Sequence, residues 1–275
     1  MNDFPGQGNA IIGLLDAFYG EKGYITPKET RRFCGPTVPL ARIPKFTYKN
    51  DEIFHATIEV SHFGNAVLDS TKTTYTIRDE YGKIYYKEIS NNRTIPVGNC
   101  IQLGEVNYPL ASITSPAKLN LEVCIEGTHF ANDWDFWVYP AVVETNQGNV
   151  YITDTFNEKA LETLASGGNV LITAARKITY GQGIVQQFTP VFWNTSWFKM
   201  RPPHTTGIWV NNNHPLFKNF PTEYHSNLQW WELLNNAQVM LFSDFAYEFE
   251  PLVQSIDTWF LSRKIGTLFE AHVLN

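Results

Sequence analysis

The sequence predicts a mixed fold in which a short helical leader is followed by an antiparallel β-sandwich and then an α/β module. Three observations predict it. Helical spacing and capping residues mark residues 1–35. Alternating β-forming residues, separated by Gly, Pro and Asn, fill residues 36–140. Residues 141–275 open with a strand, a helix, a Gly-Gly turn and a strand, the order of a βαβ unit.

Two short helices are predicted in the leader. In residues 9–19, NAIIGLLDAFY, the apolar side chains recur every three or four positions, which predicts an amphipathic helix. Farther on, Thr26 precedes Pro27, and Glu29 stands three residues after Thr26, the pattern of a capping box with proline at the first helical position. A second helix is therefore predicted over residues 27–34.

The sandwich is predicted from short segments of alternating polar and apolar residues. Its strands are expected in PTVPLARIPKFTY, EIFHATIEVSHF, STKTTYTIRDEYGKIYYKEI and KLNLEVCIEG, and HFANDWDFWVYP closes the module. The residues between Asp79 and Gly82 separate two such runs, so they are predicted to form a hairpin tip.

The α/β module is predicted to begin with a βαβ unit over NVYITDTFNEKALETLASGGNVLITAA. The aromatic and polar stretch QQFTPVFWNTSWFKMRPPHTTGIWVNNNHPLFKNFP has no clear periodicity and is expected to be irregular. Strands are predicted in QVMLFSDF and PLVQSIDTWFLSRK. The last segment, GTLFEAHVLN, has an apolar β-pattern that no turn closes, so we expect an unpaired sheet edge and an incomplete module.

Composition excludes several classes of protein. Hydrophobic residues make up 43% of the chain and charged residues 17%, which is typical of a globular protein. With 21 basic against 27 acidic residues, the chain lacks the basic surplus that nucleic acid binding requires. No apolar run approaches the roughly 20 residues of a membrane span, and MNDFPGQGNA has no signal-peptide pattern. Localisation is therefore unassigned from this chain; a periplasmic or secreted location follows if a longer parent carries a signal peptide.

Neither a metal nor a cofactor is predicted. The three cysteines lack a C-x-x-C pair, and the seven histidines lack H-x-x-x-H spacing. Cys100 and Cys124 could form one bridge, but a chain of this size is expected to fold without an obligatory disulfide. Gly167 and Gly168 precede the second strand of the βαβ unit, whereas a phosphate-binding loop follows the first.

Three stretches resemble a known family. MNDFPGQGNAIIGLLDAFYGEKGYITPKETRRFCGPTVPLARIPKFTY resembles the segment after the catalytic barrel in large bacterial glycoside hydrolases related to the family 2 β-galactosidases. TPVFWNTSWF and NHPLFKNFPTEYHSNLQWWEL are similar to the C-terminal α/β region of those chains. The resemblance implies that the leader is the end of a TIM barrel, the sandwich is immunoglobulin-like, and the last module is amidotransferase-like or flavodoxin-like.

The same resemblance implies a function. The catalytic carboxylates of that family lie on earlier barrel strands, which this chain lacks, so we expect a non-catalytic C-terminal fragment of a retaining or inverting glycoside hydrolase. It would act on β-linked, galactose-like carbohydrate by supporting the barrel or its cleft. The alternatives are a stand-alone carbohydrate-binding protein and an oligomerisation module. The implied partners are carbohydrate, the catalytic barrel and a second copy of the chain. No cysteine follows Cys124, which excludes amidotransferase chemistry.

Two groups of acidic or amide side chains are candidates for sugar contacts. Asp3 and Gln7 lie beside the implied end of a barrel strand, where barrel enzymes keep their sites; the alternative is that Asp3 caps the PGQG turn or the helix after it. The alternation of Asp133 and Asp135 places both carboxylates on one strand face, with Trp134 and Phe136 on the other. A solvated sandwich rim is favoured there over a sugar or calcium contact, since no glycine-containing calcium loop accompanies them.

Tryptophans are concentrated in the last third of the chain, interleaved with Asn, His and Gln: Trp193, Trp197, Trp209, Trp230, Trp231 and Trp259. Such a mixture suits a sugar-binding cleft, although packing in a core or interface is the commoner role of tryptophan. Four of them are predicted to bind substrate: Trp193, Trp197, Trp230 and Trp231.

Overall fold

The computed structural model describes Asp3, Ile184, Gln186 and Phe188 together with residues 13–144, 148–180, 207–257 and 263–272. Within them lie sixteen strands in five sheets and three short α-helices, so the predicted β-rich mixed fold is confirmed. Two compact units are formed. The first comprises residues 13–142 with Asp3 and residues 219–221, and the second comprises the described part of residues 143–218 and 222–272.

Helix α1 (Pro27–Phe33) confirms the predicted capping box. The Thr26 Oγ1 accepts a hydrogen bond from the Glu29 N–H at 3.2 Å, and the Glu29 carboxylate accepts one from the Thr26 N–H at 2.7 Å. These reciprocal bonds satisfy two of the backbone donors that a helix start leaves unpaired. Local sequence alone therefore specifies where this helix begins.

The helix predicted over residues 9–19 is wrong in its described part. From residue 13 onward the chain forms a turn, across which Leu15 bridges Glu21 in antiparallel fashion. The Asp16 Oδ1 accepts hydrogen bonds from the N–H groups of Phe18 at 2.8 Å and Gly20 at 2.7 Å. Because an aspartate side chain offers the backbone an alternative to helical bonds, it stabilises the turn instead.

In the first unit, two sheets enclose one core. One has the strand order β1-β3-β8 and the other has the order β2-β10-β9-β5-β6, beside a two-stranded β4-β7 pair. All neighbours are antiparallel except β2 and β10. The strands are β1 (Thr37–Arg42), β2 (Thr47–Lys49), β3 (Ile53–His62), β4 (Leu68–Thr71), β5 (Thr73–Asp79), β6 (Ile84–Ile89), β7 (Arg93–Ile95), β8 (Gly98–Pro109), β9 (Ala117–Ile125) and β10 (Ala131–Tyr139).

Side chains from both sheets share this core. Phe54 of β3 stacks on Phe136 of β10 with ring centroids 4.1 Å apart, and Tyr48 meets the Phe136 ring edge-on at 5.9 Å. Phe54 and Phe136 are fully buried, because alternate residues of each strand point inward. The immunoglobulin-like assignment of this unit stays a prediction.

Tyr75 of β5 reaches across the core to β8. Its side chain is buried, and burial raises the pKa of its hydroxyl. Gly104 of β8 leaves room for it, since a Cβ at residue 104 would lie 2.8 Å from the Tyr75 Oη. In the part of the chain that the structure describes, this hydroxyl has no hydrogen-bond partner.

The hairpin tip predicted between β5 and β6 is confirmed. The Asp79 Oδ1 accepts hydrogen bonds from the N–H groups of Tyr81 at 3.0 Å and Lys83 at 2.9 Å. Gly82 has φ of 85°, a left-handed conformation that a residue without Cβ adopts at low cost.

The second unit begins with the predicted βαβ unit, which is confirmed. Strands β11 (Val150–Thr153) and β12 (Asn169–Ile172) are parallel and are joined by α2 (Glu158–Ala165). The Asn157 side chain caps α2 by accepting from the Ala160 N–H at 3.0 Å, and Gly167 ends it with φ of 79°.

A separate four-stranded antiparallel sheet follows, in the order β13-β15-β16-β14. Strand β13 lies within the stretch that was expected to be irregular. The elements are β13 (Gly207–Val210), α3 (Trp231–Asn236), β14 (Met240–Leu241), β15 (Val253–Ile256) and β16 (Ile265–Leu268).

In the described part of the last segment, the expectation of an unpaired edge strand is wrong. Strand β16 pairs with β15 on one side and, at Ile265 and Gly266, with β14 on the other. The expected incompleteness of the module stays a prediction. Parallel pairing in this unit is confined to β11 and β12 among the described strands, and the amidotransferase-like or flavodoxin-like assignment stays a prediction. None of the described helices has the length and hydropathy needed to cross a bilayer.

Candidate functional site

The Asp3 carboxylate forms a hydrogen bond and an ion pair within the first unit. Its Oδ1 accepts a hydrogen bond from the Gly13 N–H at 2.8 Å, and the Lys22 Nζ lies 2.7 Å away. The hydrogen bond from Lys22 lowers the pKa of the Asp3 carboxyl, so the group is ionised and paired. These contacts hold Asp3 against Gly13 and Lys22, whereas the PGQG turn that it was expected to cap, and Gln7 within it, lie outside the described residues.

Asp133 and Asp135 lie on one face of β10, as predicted. The Asn120 Nδ2 donates to the Asp133 Oδ2 at 2.9 Å and to the Asp135 Oδ1 at 2.8 Å. The Lys118 Nζ lies 3.0 Å from the Asp135 Oδ2. Among the described residues, no group of three or more His, Cys, Asp or Glu side chains could hold a metal ion. The two carboxylates are therefore part of a surface ion-pair network.

Arg32 joins α1 to this network. Its Nη1 lies 2.5 Å from the Asp133 Oδ1, and its Nη2 lies 3.2 Å from the Glu122 Oε1. No residue of α1 is buried. Charge pairing rather than apolar packing therefore fixes this helix on the sheet.

The predicted tryptophans differ in their surroundings. Trp230 is buried, its Nε1 donates to the Thr222 Oγ1 at 2.9 Å, and its ring lies 6.4 Å from that of Phe217. Trp230 is thus packed in the interior of its unit. Trp231, by contrast, is 50% exposed beside the Phe188 ring, whereas Trp193 and Trp197 lie outside the described residues.

A further tryptophan, Trp209, lies at the surface of the second unit beside two polar residues. In β13 its neighbours Ile208 and Val210 point into the interior, whereas Trp209 points outward and is 41% exposed. It lies directly opposite Gln254 of β15, and on its other side it bridges to His225. Directly paired residues in antiparallel strands share a face, at about 5 Å between Cβ atoms. We call these three side chains the Trp209 row.

Both neighbours of Trp209 in this row offer polar atoms. The His225 Nδ1 lies 3.1 Å from the Ser226 carbonyl oxygen, which can only accept, so Nδ1 donates, and in the neutral imidazole Nε2 is then an acceptor. The side-chain amide of Gln254 makes no hydrogen bond to any residue that the structure describes. An exposed indole therefore lies between a hydrogen-bond acceptor and an amide that can donate and accept.

Phenylalanine rings lie beside β16 of the same sheet. Gly266 of β16 lies opposite Gln254, and a Cβ at residue 266 would lie 2.8 Å from the Pro251 Cβ and the Val253 carbonyl oxygen and 3.0 Å from the Phe242 ring. The rings of Phe242, Phe245, Phe249 and Phe269, which we call the Phe cluster, have centroids 4.9–6.0 Å apart. Phe242 is buried, whereas Phe245 is 41% exposed.

The arrangement of the Trp209 row suits the binding of a ligand that offers both apolar C–H groups and hydroxyl groups. An indole face packs against apolar C–H groups, and its polar neighbours can bond to hydroxyl groups. The sequence carries no pattern that marks this site, because GIWV is an unbroken apolar run and only the structure shows that Trp209 points outward while Ile208 and Val210 are buried.

Family models match the two units separately. Residues 52–140 match a domain of unknown function (DUF8488), and residues 151–275 match another domain of unknown function (DUF8487). No curated protein matches the chain.

Solved structures show only distant similarity. A Parabacteroides merdae β-glucuronidase is 10% identical, with a TM-score of 0.28 over 38% of this chain and 14% of its own. A family 123 glycoside hydrolase from Clostridium perfringens is 11% identical, with a TM-score of 0.26 over 40% of this chain and 25% of its own. The Bacillus subtilis sporulation control protein Spo0M is 11% identical, with a TM-score of 0.26 over 40% of this chain and 51% of its own. At these TM-scores the similarities carry no argument about fold or activity.

Proposed function

We propose that this chain binds carbohydrate through the Trp209 row, as a non-catalytic part of a glycoside hydrolase. The observation that carries the proposal is the half-exposed Trp209 indole between His225 and Gln254. The C–H groups of a pyranose ring pack on an indole face. The hydroxyl groups of the sugar give up hydrogen bonds to water and form hydrogen bonds to the polar atoms beside the indole instead. The row contains an acceptor and an amide, which are the polar groups that hydroxyls need.

The state of the candidate carboxylates supports a non-catalytic role. Hydrolysis of a glycosidic bond uses two carboxyl groups about 5 to 9.5 Å apart, one of them kept protonated by a raised pKa. Asp3 has a lowered pKa and is paired with Lys22, the opposite of what a general acid requires. Asp133 and Asp135 are paired with Arg32 and Lys118.

The resemblance of residues 1–48 to the post-barrel segment of β-galactosidase-like enzymes supports the link to a glycoside hydrolase and to β-linked, galactose-like sugars. It also supports a catalytic barrel as the partner of this chain. A second copy of the chain as partner stays a prediction.

Titration calorimetry of the full chain with methyl β-D-galactopyranoside tests the proposal. Trp209→Ala is expected to weaken binding by at least tenfold, because it removes the stacking surface. Trp231→Ala is the matched control, since Trp231 is also half exposed, and its affinity should stay within twofold of the wild type. Unchanged affinity in Trp209→Ala would contradict the proposal, as would a loss seen in Trp231→Ala instead.

A further inference from the structure

We propose that the ligand of the Trp209 row is a glycoside with an apolar aglycone, whose sugar lies over Trp209 and whose aglycone packs against the Phe cluster. This inference rests on the proposed function and extends it to the class of ligand. It is carried by the arrangement of side chains across the four-stranded sheet.

Strand register places the row and the cluster in line. Trp209 lies opposite Gln254, and Gln254, next to a register shift at Val253, lies opposite Gly266. Neighbouring strands are about 4.8 Å apart, so Gly266 lies roughly two strand spacings, about 10 Å, from Trp209. The Phe242 ring lies beside Gly266, where a Cβ would be 3.0 Å from it. A pyranose and an aryl ring joined by one oxygen span a similar length.

The side chains change from polar to apolar along the sheet from Trp209 to the Phe cluster. His225 and Gln254 flank Trp209 on both sides, whereas beyond Gln254 there is a glycine and then four phenylalanine rings. A second sugar unit placed there would press hydroxyl groups against phenyl rings and leave them without hydrogen bonds, which is unfavourable. An apolar group in the same position would instead bury the exposed part of Phe245.

Lys264 holds the segment that bears the cluster. Its Nζ donates to the Tyr247 carbonyl oxygen at 2.9 Å and to the Glu250 Oε1 at 2.8 Å. Phe245 and Phe249 come from this same segment. Because the rings are already fixed against one another, little ordering entropy is lost when a ligand packs against them.

The test compares ligands that differ only beyond the glycosidic oxygen. We expect phenyl β-D-galactopyranoside to bind the full chain roughly tenfold more tightly than methyl β-D-galactopyranoside, and lactose to bind no more tightly than the methyl glycoside. Equal affinity of the phenyl and methyl glycosides would overturn the inference and leave the proposed function standing. Failure of every ligand to bind would overturn both.

Replacing one phenylalanine of the Phe cluster tests whether the aglycone packs against that cluster. Phe245→Ala should bring the phenyl glycoside to within about twofold of the methyl glycoside without changing the affinity for the latter. Phe156→Ala is the matched control, because Phe156 is 59% exposed in the same unit, and it should keep the tenfold preference. A preference that survives in Phe245→Ala would contradict the placement. Should that variant not fold, the ligand series on the wild-type chain still decides the inference.

Discussion

Replacing Gly104 by alanine is expected to destabilise the first unit through one identifiable contact. The new Cβ would lie 2.8 Å from the Tyr75 Oη, whereas the next Tyr75 atom, Cζ, would lie 3.5 Å away. A separation of 3.5 Å is ordinary van der Waals contact, so the hydroxyl oxygen alone causes the clash. Overpacking of a core in this way costs about 1–3 kcal/mol.

Removing that oxygen should relieve the clash. Tyr75→Phe deletes a buried hydroxyl that has no hydrogen-bond partner among the described residues, so on its own it should be neutral or slightly stabilising. In the Tyr75→Phe background, Gly104→Ala should cost less than about 0.5 kcal/mol. The double-mutant cycle is therefore expected to show a coupling free energy of at least about 0.5 kcal/mol.

Amide hydrogen exchange measures this effect where it arises. Peptides covering β5 and β8 should exchange about tenfold faster in Gly104→Ala, because a tenfold change corresponds to about 1.4 kcal/mol. Peptides covering β15 in the second unit serve as the internal reference and should not change. The reasoning is refuted if Gly104→Ala accelerates exchange equally in the wild-type chain and in the Tyr75→Phe variant.

Ion pairs, catalysis and thiols give four further predictions. Arg32→Gln should lower the free energy of unfolding of the first unit, measured by urea denaturation, by about 1 kcal/mol at low salt and by less in 1 M NaCl. A loss of stability that does not depend on salt would contradict the charge pairing. Because the folded pKa of Asp3 is lowered, its stabilisation is present above the ordinary value of 3.8 and is lost as pH falls through the folded pKa. Exchange at Gly13 should thus be faster in Asp3→Asn than in wild type at pH 6, and the two should converge in acid; a difference that persists in acid would exclude this ion pair as its source. The repurified chain should not hydrolyse 4-nitrophenyl β-D-galactopyranoside, and turnover lost in Asp3→Asn would show a misplaced active site. All three cysteines are free thiols in the structure, so reductant should leave the melting temperature within about 1 °C of its value without reductant, and a large fall would reveal a disulfide.

Local signals predicted the elements that local chemistry determines. The capping box at Thr26, the hairpin tip at Gly82 and the end of α2 at Gly167 each depend on residues within a few positions of one another. For such elements the sequence pattern and the structure agree. The turn at Asp16 was missed because its apolar neighbours have helical spacing, and the side chain of one aspartate overrides that pattern.

Strand β8 was not predicted because its alternation is interrupted. It contains Gly98, Gly104 and a left-handed Cys100, and its register with β3 shifts twice. Bulges of this kind move side chains from one face to the other, so the period of two is lost in the sequence. The strand is recognisable only through its partner, β3.

The candidate site depends on contacts between residues distant in sequence, which explains why only part of it was predicted. Trp230 and Trp231 are adjacent in the chain, yet one is buried and the other is half exposed. The neighbours of Trp209, His225 and Gln254, come from two other segments of the chain. Composition indicated a tryptophan-rich surface, and only strand pairing could select Trp209 from it.

Two-dimensional NMR of the indole N–H groups tests the central claim most directly. The chain contains eight tryptophans, so each indole gives a separate probe, and Trp209→Phe assigns the signal of Trp209. On titration with methyl β-D-galactopyranoside, we predict that the Trp209 indole signal shifts in a saturable manner while that of buried Trp230 does not move. Saturable shifts at other indoles with an unmoved Trp209 signal would contradict carbohydrate binding by the Trp209 row.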